Sequence, residues 1–346
     1  MATGNGNAEA TGSESPGELA ARCVGDLTAY MLSQALGFVA QLGIADAIGD
    51  EPRPVDDVAA ATGVNPDALY RTLRALASRG YFTEVRPRVF AHTALSELLR
   101  DGASGSLRHY AIWLAGDSFR AWAEFDHTLR TGKPAFEAVF GAPLFDYLTA
   151  HAASGELFNK AMAGTVVARL EVVATQDWSN VGTIVDVGGG RGGLVISVLA
   201  RYPTMRGVVF DLPNVVVEAE RELVAAGVSD RSEAVGGDFF VDVPAGGDLY
   251  VLAQILHDWS DDEAVAILRT CRRATPDDAR LVLLEQVVPP GDEPGFVKLL
   301  DLQMMVLLTG RERTQEEWRD LLRAGGFELG RIEHGVRASL FEARPA

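Results

Sequence analysis

Apolar positions in the first hundred residues follow a helical period. From Leu27 to Ile48 they fall all round the helix, at Tyr30, Met31, Leu36, Phe38, Val39, Leu42 and Ile44 among others. A helix apolar on every side is buried in a core or against a partner subunit. Two shorter helices follow, Val55–Thr62 closed by Gly63 and Pro66–Arg79 closed by Gly80, with Asn65 as N-cap ahead of Pro66. Tyr81–Val85 and Val89–Ala91, turning at Pro87, then form a hairpin. Helix, turn, helix and hairpin predict a winged helix. Between Ser106 and Arg169 the pattern stays helical, over Leu107–Leu114, Phe119–Thr131, Pro143–Ala150 and Gly155–Ala174.

At Gly182 the texture changes. Short apolar runs at Thr183–Val187, Gly207–Asp211, Ser232–Gly236, Gly247–Ala253 and Arg280–Glu285 read as strands. Helices through Val198, over Val215–Ala226 and over Asp261–Ala274 separate most of them. Strands alternating with helices predict an α/β domain with a doubly wound, Rossmann-like sheet, whose ligands sit at the carboxyl ends of the strands. Asp186, Asp211, Asp238, His257 and Glu285 fall at those ends. The expected organisation is a disordered leader over 1–16, a mainly helical winged-helix domain over 17–105, a helical linker and substrate-pocket region over 106–170, and the Rossmann-like domain over 171–346.

The length of 346 residues suits about two domains. A net charge of −17 argues against an extended nucleic-acid surface, which needs clustered cations. The winged helix carries Arg71, Arg74 and Arg79, but Asp56, Asp57, Asp67 and Glu84 offset them, so it is expected to pack rather than to bind DNA. Cys23 and Cys271 make neither a disulfide framework nor a zinc site, and a reducing cytoplasm follows as the default. The leader lacks the apolar core of a signal peptide, and no stretch reads as a membrane span. No metal cluster is expected: the consecutive Asp261, Asp262 and Glu263 suit the first turn of a helix.

Gly188, Gly190 and Gly193 satisfy a dinucleotide fingerprint, with Asp211 near the ribose-acid distance, so an NAD(P)-dependent oxidoreductase is one reading. Asp186 at the end of the first strand and Gly237-Asp238-Phe239-Phe240 at the third shift the balance. Acids at successive strand ends suit a ligand with a ribose, an adenine and a positive centre but no phosphates. That ligand is S-adenosyl-L-methionine.

Leu256-His257-Asp258-Trp259 and Arg311-Glu312-Arg313-Thr314 then make the chain resemble the class I small-molecule O-methyltransferases, the family of plant caffeic-acid and isoflavone enzymes and of bacterial polyketide and antibiotic enzymes. Leu42-Gly43-Ile44, Leu157–Met162, Asp186–Gly190, Phe210–Pro213 and Gly237–Phe240 follow in family order. The resemblance implies His257 as general base, flanked by Glu285 and Glu312. It implies a cofactor site of Asp186, Gly188, Gly190, Asp211, Leu212, Asp238, Phe239 and Phe240. For an aromatic or polyketide-like acceptor it implies Phe158, Met162, Asp258, Met304, Met305 and Leu308, and for the N-terminal region a homodimer interface. Some anthracycline-pathway relatives use the same site for hydroxylation or decarboxylation; His257 weighs against that here. One departure stands out: Ala253 occupies a position where many members carry a polar cofactor contact, often Lys.

Overall fold

The computed structural model describes residues 15–103, 105–165, 173, 176–335 and 338–346, so the expected leader up to residue 14 lies outside the described residues. The chain divides into two compact units between Ser96 and Glu97.

In the first unit, α1 (Pro16–Gln41) begins inside the expected leader and well before Leu27. Ser15 and Glu18 explain the early start: Ser15 Oγ accepts from the Glu18 N–H, and the Glu18 carboxylate accepts from Ser15 N–H at 2.8 Å, closing a capping box. Nor does the helix run unbroken to Ile48. Gly43 adopts a left-handed φ of +66°, and the chain restarts as α2 (Ile44–Ile48). Within this unit Leu27, Tyr30, Met31 and Phe38 remain exposed, Leu27 by 70%. By length and composition α1 could also cross a membrane, which corrects the expectation that no stretch reaches that length.

A winged helix follows as expected, with β1 (Arg53–Pro54), α3 (Val55–Thr62), α4 (Pro66–Ala77), β2 (Phe82–Arg86) and β3 (Val89–His92). Its small antiparallel sheet runs β1-β3-β2. Asn65 caps α4 by accepting from the N–H groups of Asp67 and Ala68.

The second unit opens with short helices. Continuous with α5 (Arg108–Trp113) is a π-helical turn, Leu114–Ser118, kinked at Gly116, that leads into α6 (Phe119–Trp122). Then come α7 (Phe125–Thr131), α8 (Ala135–Phe140), α9 (Leu144–Ala150) and α10 (Ala152–Thr165). The helix expected over Phe119–Thr131 is therefore two, parted at Ala123 and Glu124.

The remainder is β4 (Thr183–Val187), α11 (Gly193–Arg201), β5 (Arg206–Asp211), α12 (Pro213–Ala225), β6 (Ser232–Gly236), β7 (Leu249–Ala253), α13 (Asp261–Ala274), β8 (Arg280–Glu285), α14 (Phe296–Leu307), α15 (Gln315–Ala324), β9 (Phe327–Glu333) and β10 (Ser339–Pro345). The strands join one sheet in the order β6-β5-β4-β7-β8-β10-β9. It is parallel from β6 to β8, and β10 lies antiparallel to both of its neighbours. Strand alternation sends Val185 and Val187 into one core with Tyr250, Leu252 and Trp318, and Ile184 into the other with Val195, Val209 and Leu223. Both faces are thus covered, as a parallel sheet requires. After β4 the chain builds β5 and β6 on one side and β7 onward on the other, which makes the end of β4 the switch point where ligands bind.

Candidate active site

The glycine loop occupies that switch point. Gly188 and Gly190 hold φ of +75° and +57°, conformations that L side chains rarely adopt. A Cβ on Gly188 would strike the Ile255 side chain, whereas Gly190 faces open space. Asp211, at the end of β5, holds the loop: its Oδ2 accepts from the Gly190 N–H at 2.8 Å and its Oδ1 from the Leu212 N–H at 2.7 Å. Burial pushes the Asp211 carboxyl up, against the pull of these two donors. Asp238 is exposed after β6 and caps its own turn, Oδ1 accepting from the Phe240 N–H at 2.9 Å.

These residues border a cavity of about 2720 Å³ in the second unit. One ligand pocket ordinarily takes ~300–1,000 Å³, so this space suits a cofactor and an acceptor together. Asp186, Gly188, Gly190, Asp211, Leu212, Asp238, Phe239 and Phe240 all line it, as do Phe158, Met162, His257, Asp258, Met304 and Leu308. Met305 does not: one residue on from Met304 along α14, it points about 100° away. Ala253 lines the cavity without a polar side chain to offer.

Aromatic rings form the wall between the two ends. Trp113 meets Phe158 edge-on at 5.2 Å, and Phe145 stacks on Trp259 at 5.5 Å. Trp259 in turn meets Phe239 at 5.8 Å, linking the expected acceptor wall to the expected cofactor ring contact. Gln303 is a polar lining residue that the sequence pattern does not flag. Trp122 Nε1 donates to its Oε1, and its Nε2 donates to Ser118 Oγ at 2.9 Å, so the π-helical turn fixes its orientation.

His257 sits in a 3₁₀ turn, Leu256–Asp258, and is buried. Its Nδ1 lies 2.7 Å from Glu312 Oε1. A carboxylate only accepts, so Nδ1 carries the hydrogen and Nε2 is the nitrogen with a lone pair when the ring is neutral. Asp258 Oδ1 stands 3.4 Å from Nε2. Burial opposes the charged ring, but the carboxylates of Asp258, Glu312 and Glu285 outweigh it and push His257 up to about 10.

Glu285 does not bond the ring. Fully buried at the end of β8, it accepts from the N–H groups of Ile255 and Leu256 through Oε1 at 3.1 and 3.0 Å. Burial pushes it up to about 7. The preceding residue, Gln254, takes a φ of +54°, which bends the backbone round this carboxylate. Gly310 completes the packing: a Cβ there would collide with the His257 carbonyl oxygen. Neither Glu285 nor Glu312 lines the cavity; both stand behind the turn that does.

An O-methyltransferase domain profile matches residues 122–328, and an O-methyltransferase dimerisation profile matches residues 26–101. The chain is 45% identical to a phenazine O-methyltransferase, PhzM, of Lysobacter antibioticus, over 92% of this chain and 94% of that protein. It is 37% identical to an 8-amino-8-demethylriboflavin N,N-dimethyltransferase of Streptomyces davaonensis, over 84% of this chain and 85% of the other. The crystal structure of LaPhzM superposes with a TM-score of 0.91 at 44% identity, covering 95% of this chain and 99% of that one.

Proposed function

The chain belongs to the O-methyltransferase family, S-adenosyl-L-methionine-dependent enzymes with a dimerisation domain, and from that premise we propose that it methylates a phenolic hydroxyl of an aromatic or polyketide-like metabolite with His257 as general base. The observation that carries this reading is the His257–Glu312 bond behind a ring that lines the same cavity as the glycine loop.

Bound S-adenosyl-L-methionine supplies an activated methyl group on a sulfonium. The residues present fit it. The open side of Gly190 admits a close approach, and the Asp211 carboxylate beside it suits ribose hydroxyls. Asp238 and Phe239 suit the adenine amine and ring, and Asp186, Gly188, Leu212 and Phe240 complete the wall. Ala253 leaves any polar contact at its position to backbone.

A phenol, with a pKa near ~10, carries little phenolate at neutral pH. In the neutral form of the ring, His257 Nε2 takes its proton while Glu312 stabilises the imidazolium that results on the far side of the ring. Glu285 acts through the backbone, holding the turn by its amides. Trp113, Phe145, Phe158, Met162, Met304 and Leu308 present an apolar, polarisable wall to a flat ring and exclude water. The phenazine in the name of the Lysobacter antibioticus relative is a fused aromatic of the kind such a wall accepts. The protein works as a cytoplasmic homodimer through its N-terminal unit, whose exposed apolar α1 face suits a second copy.

The relative that dimethylates an amine favours N-methylation as a second reading. The test is incubation with S-adenosyl-L-methionine and paired hydroxyl and amino forms of phenazine and naphthoate, with products read by mass spectrometry. Methylation of the hydroxyl members, lost in His257→Ala, is expected. Methylation of the amino members alone overturns the proposal.

A further inference from the structure

Arg313 has no part in the chemistry described above, yet its guanidinium is buried among the groups that hold the site, with a side chain 1% exposed. Nη1 donates to the Leu256 carbonyl at 3.0 Å, and Nη2 donates to the Trp259 carbonyl at 2.9 Å. Nε donates to Asp261 Oδ1 at 2.9 Å, and a second Nη1 bond reaches the Arg311 carbonyl at 3.3 Å. The Trp318 ring lies below, 5.0 Å from the guanidinium carbon. Leu256 and Trp259 are the residues on either side of His257 and Asp258. The backbone of Arg313 is anchored too, its carbonyl accepting from the Val288 N–H at 3.0 Å.

Burying a guanidinium is costly unless its donors are used, and here they are spent on two carbonyls of the His257 turn, the Asp261 carboxylate and the Arg311 carbonyl. We propose that Arg313 is a positioning residue: it stitches the turn carrying His257 to the segment carrying Glu312, so that base and carboxylate stay at bonding distance while ligands come and go. This rests on the reading of His257 as the base. Glu285 grips the same turn by its amides and Arg313 by its carbonyls, so the backbone is held from both of its polar sides. Only a planar fork reaches two carbonyls and a carboxylate at once; a lysine ammonium is a point charge and does not. Loosening the stitch lets the His257–Glu312 pair part and admits water, and the ring then loses the carboxylate that holds its proton.

The test uses the full chain labelled with [¹⁵N]histidine and bound to S-adenosyl-L-homocysteine, the His257 ring signals being assigned by their loss in His257→Gln. In Arg313→Lys the ring is expected to titrate nearer the ordinary histidine value of about 6.5, with homocysteine-cofactor affinity retained. Single-turnover methyl transfer to 1-hydroxyphenazine, the probe, is expected to fall about 10- to 100-fold with KM little changed, as misplacement of a catalytic group predicts. Asp261→Asn, which removes only the half-exposed anchor, is expected to move the ring titration the same way by less. An Arg313→Lys protein that folds, binds the cofactor product and titrates as wild type overturns the proposal. Should Arg313→Lys not fold, unchanged ring titration in Asp261→Asn overturns it instead. Undiminished transfer in His257→Gln sinks the base assignment alone, because the ring titration reports the hold of Arg313 without any acceptor.

Discussion

Nδ1 of His257 and Oε1 of Glu312 stand 2.7 Å apart although they are 55 positions apart in sequence. The contact sets the tautomer and leaves the other ring nitrogen, Nε2, as the one available to the proposed base chemistry. Its charge also favours imidazolium and, with Asp258 and Glu285, raises the ring's titration to about 10, so at neutral pH only the minor neutral fraction of the ring can accept a proton.

That charge balance gives His257→Ala a pH signature. Where the ring is neutral the substitution should lower methyl transfer by up to about 10²–10⁴, the usual worth of a positioned general base, with a smaller loss at neutral pH, and cofactor affinity should stay near wild type. The wild-type rate on a neutral phenol should climb from pH 7 toward 10, because the ring must be neutral to accept and the three carboxylates, acting against burial, place its titration at about 10. The loss in the variant should shrink above the acceptor's own pKa, where phenolate needs no base. Single-turnover rates against pH for both proteins check this.

Glu312→Gln should cost less than removal of the ring. The amide still accepts from Nδ1–H but no longer stabilises imidazolium, so turnover drops by an intermediate factor and the pH–rate limb moves to lower pH. Equal rate profiles for Glu312→Gln and wild type would assign the carboxylate to packing.

Stability should depend on pH through the same ring. The folded value is raised, so the contribution of His257 is whole below its unfolded value of ~6.5 and is lost as pH rises through about 10. Glu285, also raised, loses its contribution earlier, as pH rises from its ordinary carboxylate range through about 7. Thermal midpoints should therefore fall between pH 6.5 and 10, and the fall should be shallower in His257→Gln. Parallel curves for the two proteins would contradict the linkage.

Asp211→Ala removes the acceptor for the Gly190 and Leu212 N–H groups, and with it the carboxylate proposed to meet the ribose. Unpaired donors cost about 1–3 kcal/mol, so affinity for S-adenosyl-L-homocysteine should weaken by about 5- to 150-fold. Calorimetry with an unchanged dissociation constant would take Asp211 out of the site.

Met31→Asp with Leu27→Asp puts charge on the exposed apolar face of α1. Light scattering should find a dimer in the wild type and a monomer or aggregate in the double variant, since a desolvated unpaired carboxylate is not tolerated at an interface. A wild-type monomer at micromolar concentration would refute the homodimer.

Much of this protein is set by signals that act within a few residues. Alternation of strand and helix, the left-handed positions at Gly188 and Gly190, the Asn65 cap and the acids that close β4 and β5 are all local, and each is readable from residue type and spacing. The motifs holding His257 and Glu312 are visible for the same reason. Even local signals fail where one residue overrides a period, as Gly43 does in dividing the first helix. Tertiary structure alone decides the rest. Which glutamate bonds the ring and which bonds the amides behind it depends on how β8 and the segment after α14 pack against one turn. Whether Met304 or Met305 faces the cavity depends on the rotation of α14, which its neighbours set. The carbonyls gripped by Arg313 are chemically identical to every other carbonyl in the chain until folding brings them within reach of one guanidinium. A sequence specifies donors and acceptors; only packing chooses which of them meet, because bonds a few ångströms long join segments tens of residues apart.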